Sequence, residues 1–583
     1  MTKADIVSRM SFSSVSEQAH AHYEPGVPFE IPCPQGSVFE LLAHSAATYP
    51  DAVAIDYFGS EWTFAEFLDE ALRGAALLEA CGVRKGDVVS FAMPNCPQHL
   101  IAFYSAMFLG ATVAELNPLA PAVQIREQME RHGGTWCLAW EKSAHTLVKA
   151  GVDPAHILTV DITAPMPRSL RMKLRLPVAE ARAQRKAMRA SVPRHSRSWD
   201  ELMKRQASAR PTKLATPTPS KLSSAPEVLG SDTAVILHSS GTNGVPKSVP
   251  LTHANIRANV NQNLFWVYAL DRGAETFFSL LPYFHAFGMC FQLCSSVAIG
   301  ACQIVLPTFS PALALEAHQR RPVTFFLGVP PMFDRVSQYA VEHGIDISSI
   351  EFAVSGGMPL SQEISQRWEG ATGHYIVEGY GMSETSPTLR GSPLSPERRP
   401  GCLGLPFPST NIRLVERDDP TKDVPDGEPG EILVQGPQVF SGYLNDPEET
   451  ARAFVDGWFR TGDIGVNDDG FIYLVDRSKD LIITSGFNVF PSHVENAIRK
   501  FTNVDDVGVV GIPDDATGER VAAVVTAPWR APDLTRFRAT LEKELPHYAL
   551  PRELHLVESI PRSLIGKAER RKARCRWGST CKK

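Results

Sequence analysis

Along this chain, short continuous apolar blocks alternate with longer stretches in which apolar residues recur every three or four positions. Blocks of the first kind read as strands buried on both faces, and stretches of the second kind as the helices that cover them. Thr63 and Glu66 stand at capping-box spacing and open a helix that runs to Cys81, where Gly82 supplies the stop. A buried strand follows over 88–93, then an apolar helix around 99–109. A further strand stands at 235–237, and the same rhythm returns at 327–330 and 352–355, short strands ending in or followed by Gly or Pro. Near the C-terminus, strands at 507–512 and 521–526 accompany a helix over 534–545. The pattern predicts an α/β protein: a large N-terminal domain (1–476) of helix-covered, mostly parallel sheets and a small mobile α+β C-terminal domain (481–583). The charged DRSKD stretch supplies a hinge at 477–480.

Two regions break the rhythm. Residues 276–315 contain no Lys, Arg, Asp or Glu, and 286–306 is long enough to span a bilayer. Gln292, Ser295, Ser296, Gly300 and Gln303 interrupt it, and Pro282, Pro307 and Pro311 flank it. It therefore reads as buried core: a helix, a stop at Gly300 and a strand over 302–306. The second break, 165–226, is rich in Arg, Lys, Ala, Ser and Pro. Between residues 168 and 189, eight cations (Arg168, Arg171, Lys173, Arg175, Arg182, Arg185, Lys186 and Arg189) are opposed only by Glu180. Such an insert is either a solvated helix or disordered segment, or an amphipathic surface that turns Leu170, Leu174, Leu176 and Val178 toward lipid.

Composition narrows the class. A chain of 583 residues calls for more than one domain, and a net charge of −6 gives no reason to expect nucleic acid as a partner. Ten scattered cysteines with no CxxC pair read as reduced thiols of a cytoplasmic protein, and the first residues carry no apolar stretch of a secretory signal.

The sharpest local chemistry is ILHSSGTNGVPKSVPLTHANI, 236–256. A strand enters a loop of Ser239, Ser240, Gly241, Thr242, Asn243 and Gly244, with Lys247 just beyond. Small hydroxyl and glycine residues let backbone N–H groups close on phosphate, and a lysine adds charge. Pro246 stands where a Walker A motif needs glycine, so an ordinary P-loop is excluded. A Gly/Ser-rich surface turn is the plain alternative for the loop taken alone.

SSGTNGVPK closely resembles the signature of the adenylate-forming superfamily, which comprises acyl-CoA synthetases, peptide-synthetase adenylation domains and firefly luciferase. Further motifs similar to that family follow in order: LPYFHAFG (281–288), SGGMPL (355–360), EGYGMSETSP (378–387), GWFRTGD (457–463), DRSKDLIITSGFNVFPSHVE (476–495) and PRSLIGK (561–567). The overall resemblance is greatest to bacterial long-chain fatty-acyl-CoA ligases. It implies ATP, Mg²⁺ and coenzyme A, with a medium-to-long-chain fatty acid activated to acyl-AMP and passed to CoA. An acyl-AMP ligase that loads a carrier protein, or a catalytically inactive lipid-binding adaptor, is the alternative. The expected location is the cytoplasm, with peripheral contact to an anionic membrane through the basic insert.

The resemblance also implies roles for individual residues. Ser239 to Gly244 and Lys247 would hold the β- and γ-phosphates, although Asn243 replaces the commoner Thr or Ser and Ser248 the usual Gly. Glu378, Gly379, Tyr380, Gly381 and Met382 would form the nucleotide floor, with Tyr380 stacked on adenine. Ser383 would bond the α-phosphate and Glu384 would hold Mg²⁺. Gly356 and Gly357 would allow close backbone approach to adenine. Asp463 and Arg477 would hold the ribose, and His285 would stand at the mouth of the acyl pocket. Lys479 would be the hinge, Ser485 and Gly486 would line the path of the CoA thiol, and Lys567 would bridge the carboxylate and the α-phosphate.

Overall fold

The computed structural model describes residues 13–32, 34–209, 226–239, 247–477, 480, 482–484, 487–501, 504–514, 517–526, 534–542 and 545–561. Its chain forms two compact units. The first comprises 1–10, 22–411 and 435–454, and the second 11–21, 412–434 and 455–583.

The first unit holds two large sheets. One has nine strands in the order Leu405–Pro406, Thr388–Gly391, Ile376–Gly381, Phe352–Gly356, Phe325–Gly328, Thr276–Ser279, Cys302–Val305, Val53–Tyr57 and Ser60–Thr63. Its central pairings are parallel and its edges antiparallel. The other has seven strands, parallel except for a final hairpin between Thr233–Ser239 and Lys247–Thr252. The apolar blocks behave as their composition requires. Phe277 and Phe325 lie in register on adjacent strands and stack at 4.3 Å, and Phe326, Phe333 and Trp368 continue the core toward the covering helices.

Local signals set the helix ends. Thr63 and Glu66 form both halves of a capping box on the helix Phe64–Ala80, and Gly82 follows its end at φ +97°. A second box, Thr252 with Asn255, opens the helix His253–Trp266. The uncharged run lies in the core. Gly288–Ser295 winds as a π-helix rather than an α-helix, Gly300 turns the chain at φ +72°, and Cys302–Val305 is a strand. Gln292 is buried here with its amide fully used: Nε2 donates to Phe278 and Leu327 carbonyls, and Oε1 accepts from Leu281 N–H. Among the described residues, no helix is long and apolar enough to cross a membrane.

The basic insert contains the helices Arg168–Lys173 and Ala179–Met188. Leu174, one of the four apolar residues that the lipid-facing alternative would expose, is instead buried between the two helices. Met172, Leu176 and Val178 remain outside, at 65%, 51% and 52% exposure. Arg189 finds acids beyond the insert, pairing with Glu141 at 2.7 Å and Asp161 at 3.1 Å.

The second unit contains an antiparallel sheet built around Gly430–Gln435, Trp458–Asp468 and Phe471–Arg477. It also contains an α+β body in which Asp506–Asp514 and Gly518–Thr526 pair over nine positions. There the helices Pro491–Phe501 and Leu534–Leu541 cover a core of Val494, Ile498, Val509, Val525, Phe537 and Leu541.

Candidate active site

The ends of the expected phosphate loop are the last rungs of the Thr233–Ser239 and Lys247–Thr252 hairpin. Ser239 faces Lys247, and His238 faces Ser248, with Ser248 Oγ 3.2 Å from His238 Nδ1. Ser240, Gly241, Thr242, Asn243 and Gly244, between those rungs, lie outside the described residues.

Lys247 turns its ammonium to the carboxylate of Glu449 and over the ring of Tyr443, 4.5 Å from its centre. The Tyr443 hydroxyl donates to Glu384 Oε1 at 3.1 Å, and Phe440 N–H donates to the Glu384 carbonyl at 2.9 Å. Burial raises the Tyr443 pKa, and the Glu384 carboxylate raises it further, so the phenol stays a donor. Tyr443 thus links the lysine of the expected phosphate loop to the expected metal ligand, and the three residues come from three separate segments. Tyr443 and Glu449 were not singled out from the sequence. The available signal was SGYLNDPEET, in which Asp446 caps the helix Pro447–Ala453 and fixes Glu449 in its first turn.

The motif EGYGMSE forms the strand Ile376–Gly381 and the turn Ser383–Thr385. Glu384 is buried at 8% exposure, and Tyr380 and Ser383 are half-buried. Glu378 is occupied by backbone: Oε1 accepts from Leu360 N–H at 3.1 Å and Oε2 from Gly401 N–H at 2.8 Å. Its burial raises its pKa, against which those two bonds act. Gly379 pairs with Gly356 on the neighbouring strand, Met382 N–H donates to Pro387 O at 3.0 Å, and Gly357 turns at φ +75°. Gly381 is packed so closely that a Cβ there would lie 1.9 Å from Pro387 O.

His285 is half-buried, and its Nδ1 accepts from Phe287 N–H at 3.4 Å. The segment carrying it is held by Asn95, a third residue that the sequence did not mark. Asn95 donates to Ser279 and Leu281 carbonyls and accepts from Tyr283 N–H. Phe287 packs against Gly356, where a Cβ would lie 2.8 Å from its ring. Phe287 also lines a narrow apolar cavity with Trp266, Phe291, Val377, Gly379 and Phe407. Gly379 belongs to both the EGYGMSE motif and this cavity, so the motif's polar residues and an apolar slot share one strand.

In the second unit, the antiparallel pair Trp458–Asp468 and Phe471–Arg477 sets Asp463 opposite Arg477, with Asp463 only 4% exposed. The two expected ribose residues are therefore cross-strand partners in backbone register. Lys479, Ser485, Gly486 and Lys567 lie outside the described residues. Among the described residues there is no group of three His, Cys, Asp or Glu placed to hold a metal. The lone Glu384 suits a hard cation that takes most of its ligands from phosphate and water.

The model of AMP-binding enzymes matches residues 42–444, and that of their C-terminal domain matches 493–567, ending on Lys567. The chain belongs to the AMP-binding enzyme family. Among its relatives in this family, a long-chain-fatty-acid–CoA ligase of Bacillus subtilis is 33% identical over 559 residues, covering 95% of this chain and 96% of that protein. A long-chain-fatty-acid–CoA ligase of Salmonella typhimurium is 32% identical over 563 residues, covering 95% and 97%. The fold matches that of ATP-bound MatB from Rhodopseudomonas palustris with a TM-score of 0.76, at 24% identity over 93% of this chain and 99% of that one. For an AMP-binding enzyme, the joined polar site and apolar slot have a direct chemical reading.

Proposed function

We propose that this protein is an AMP-forming fatty acid–CoA ligase. The observation that carries this reading is the strand Ile376–Gly381, which lines an apolar cavity at Gly379 and leads within a few residues to Ser383 and Glu384. The relatives named as long-chain-fatty-acid–CoA ligases along nearly their whole length support the same substrate class.

In the first half-reaction a carboxylate oxygen attacks the α-phosphorus of ATP, the bond to the bridging oxygen breaks, and pyrophosphate leaves with acyl-AMP formed. In the second, the CoA sulfur attacks the acyl carbonyl and AMP leaves. The first step needs charge stabilisation around an in-line displacement more than it needs a covalent nucleophile. Lys247 would meet the β- and γ-phosphates, Ser383 the α-phosphate, and Asp463 with Arg477 the ribose. Tyr380 would stack on adenine between Gly356, Gly357 and the EGYG strand, and His285 would orient the carboxylate. Glu384 would hold Mg²⁺, which supplies positive charge against the phosphate oxygens when bound. Lys567 would bridge carboxylate and α-phosphate, with residues 477–480 as the hinge, Lys479 at its centre, and Ser485 and Gly486 on the thiol's path.

The same reading places the enzyme in the cytoplasm at the inner face of an anionic membrane, with the basic insert as the contact. Met172, Leu176 and Val178 stand exposed among its cations in support of that.

Pyrophosphate release and thioester formation with carboxylates of graded length test the proposal. Specificity constants should climb with chain length until the slot is full; a preference for acetate or an amino acid over dodecanoate would overturn it. Acyl-AMP made without thioester would point to carrier loading, and no pyrophosphate at all to an inactive lipid-binding protein. Lys567→Ala should lose adenylation by a hundred- to thousand-fold, corresponding to about 2.7 to 4 kcal/mol, yet still convert supplied acyl-AMP and CoA to thioester.

A further inference from the structure

We infer that the indole of Trp266, stacked on Phe407, sets the upper length of the acyl chain that this enzyme activates; the inference rests on the fatty-acid reading above. Trp266 ends the helix His253–Trp266 and has the largest side chain lining the apolar cavity. Three contacts hold it. Its ring lies on Phe407 with centroids 4.8 Å apart and planes 25° apart, and Tyr23 braces it edge-on at 5.4 Å. Its Nε1–H donates to the Ser392 carbonyl at 3.2 Å. The polar atom is thereby satisfied by backbone, and the ring is fixed in one orientation.

The wall is tied to the site by register. Ser392 N–H donates to the Glu378 carbonyl at 2.9 Å, and Gly391 pairs with Gly379. Gly391 lines the same cavity and lacks a side chain where one would intrude. A Cβ there would lie 3.0 Å from Phe407 and 3.3 Å from Trp266. The aromatic pair and the glycine-bearing strand thus touch each other and together form one rigid wall of the cavity, against which an acyl tail would end. Close-packed walls of this kind do not yield continuously to a longer chain. Shortening Trp266 should open space, and adding a methyl at Gly391 should remove it.

The test is the dependence of kcat/KM on chain length, from octanoate to octadecanoate, read as pyrophosphate release by wild type, Trp266→Leu, Trp266→Phe and Gly391→Ala. The KM for ATP and thermal unfolding are measured alongside. Trp266→Leu should move the optimum to longer chains, with about a fourfold gain for each added methylene that becomes buried, from about 0.8 kcal/mol per CH₂. Gly391→Ala should move it to shorter chains, and the KM for ATP should hold in both. Should Trp266→Leu fail to fold, Trp266→Phe should show a smaller shift in the same direction, and Gly391→Ala still reads the opposite one. Folded variants that keep the wild-type profile, merely scaled down, would overturn the inference while leaving the fatty-acid reading intact. A wild-type enzyme that activates no fatty acid would instead remove that reading itself.

Discussion

The Lys247 ammonium is paired with the carboxylate of Glu449, 202 residues further along the chain. Both side chains are largely buried, so the pair is less screened than one at the surface. On the proposed reading, phosphate entering here has to share or replace the carboxylate. Glu449→Gln should lower the KM for ATP roughly fivefold, the equivalent of about 1 kcal/mol of removed competition. Lys247→Ala should raise it by about tenfold to a hundredfold, as expected for loss of a charged hydrogen bond of about 1.5–3 kcal/mol. A higher KM for ATP in Glu449→Gln would mean that Glu449 orients the lysine instead of competing for it.

Tyr443 is the second joint of that network. Tyr443→Phe keeps the ring beneath Lys247 and removes the hydroxyl bonded to Glu384. Loss of a bond worth about 1 kcal/mol should raise the Mg²⁺ concentration for half-maximal adenylation roughly fivefold, with little change in melting temperature. Titration of activity with Mg²⁺ checks this, and an unchanged midpoint would detach Tyr443 from the metal site.

His132 packs against His238, a residue of the hairpin strand Thr233–Ser239, with ring centres 5.5 Å apart. Burial lowers the pKa of His132 to about 4; burial, with the charges of His132 and Arg131, lowers that of His238 to about 3. In the unfolded chain each takes up its proton near pH 6.5. The unfolded state therefore binds more protons below that pH, and stability falls as the solution is acidified from about pH 6.5 toward 4. One such histidine contributes a slope of up to about 1.4 kcal/mol per pH unit. His238→Gln should flatten the slope measured by denaturant unfolding between pH 7 and 4.5. An identical slope would assign the acid sensitivity to other groups.

The exposed apolar residues of the basic insert give a direct membrane test. Met172→Glu with Leu176→Glu should abolish co-sedimentation with anionic vesicles, and raised salt should weaken wild-type binding. The rate with a short, water-soluble fatty acid should stay unchanged. Vesicle binding that survives both changes would leave the insert a solvated surface.

Much of the architecture was legible in local residue order. The capping box of Thr63 and Glu66, the stop at Gly82 and the short strands ending in Gly or Pro depend on neighbours a few positions apart, and the structure contains them. The order of the family motifs was equally legible, because each is a contiguous string. The π-helical winding of Gly288–Ser295 was not, and there the Gln292 amide finds its partners on the strands Thr276–Ser279 and Phe325–Gly328. Leu174 is buried while Met172, Leu176 and Val178 are exposed for the same kind of reason: which face of a short amphipathic segment is covered depends on what packs beside it.

The sequence by itself determined that this chain carries a strand running into a Ser/Gly-rich loop with a lysine beyond it, the EGYGMSE motif and alternating strands and helices, because those are properties of contiguous residues. The tertiary structure decided that Glu449 meets Lys247, that Tyr443 reaches Glu384, and that Trp266 and Phe407 pack against Gly391 at the wall of an apolar cavity. Those pairings depend on the register of strands and helices far apart in the chain, and no local preference of the backbone carries that information.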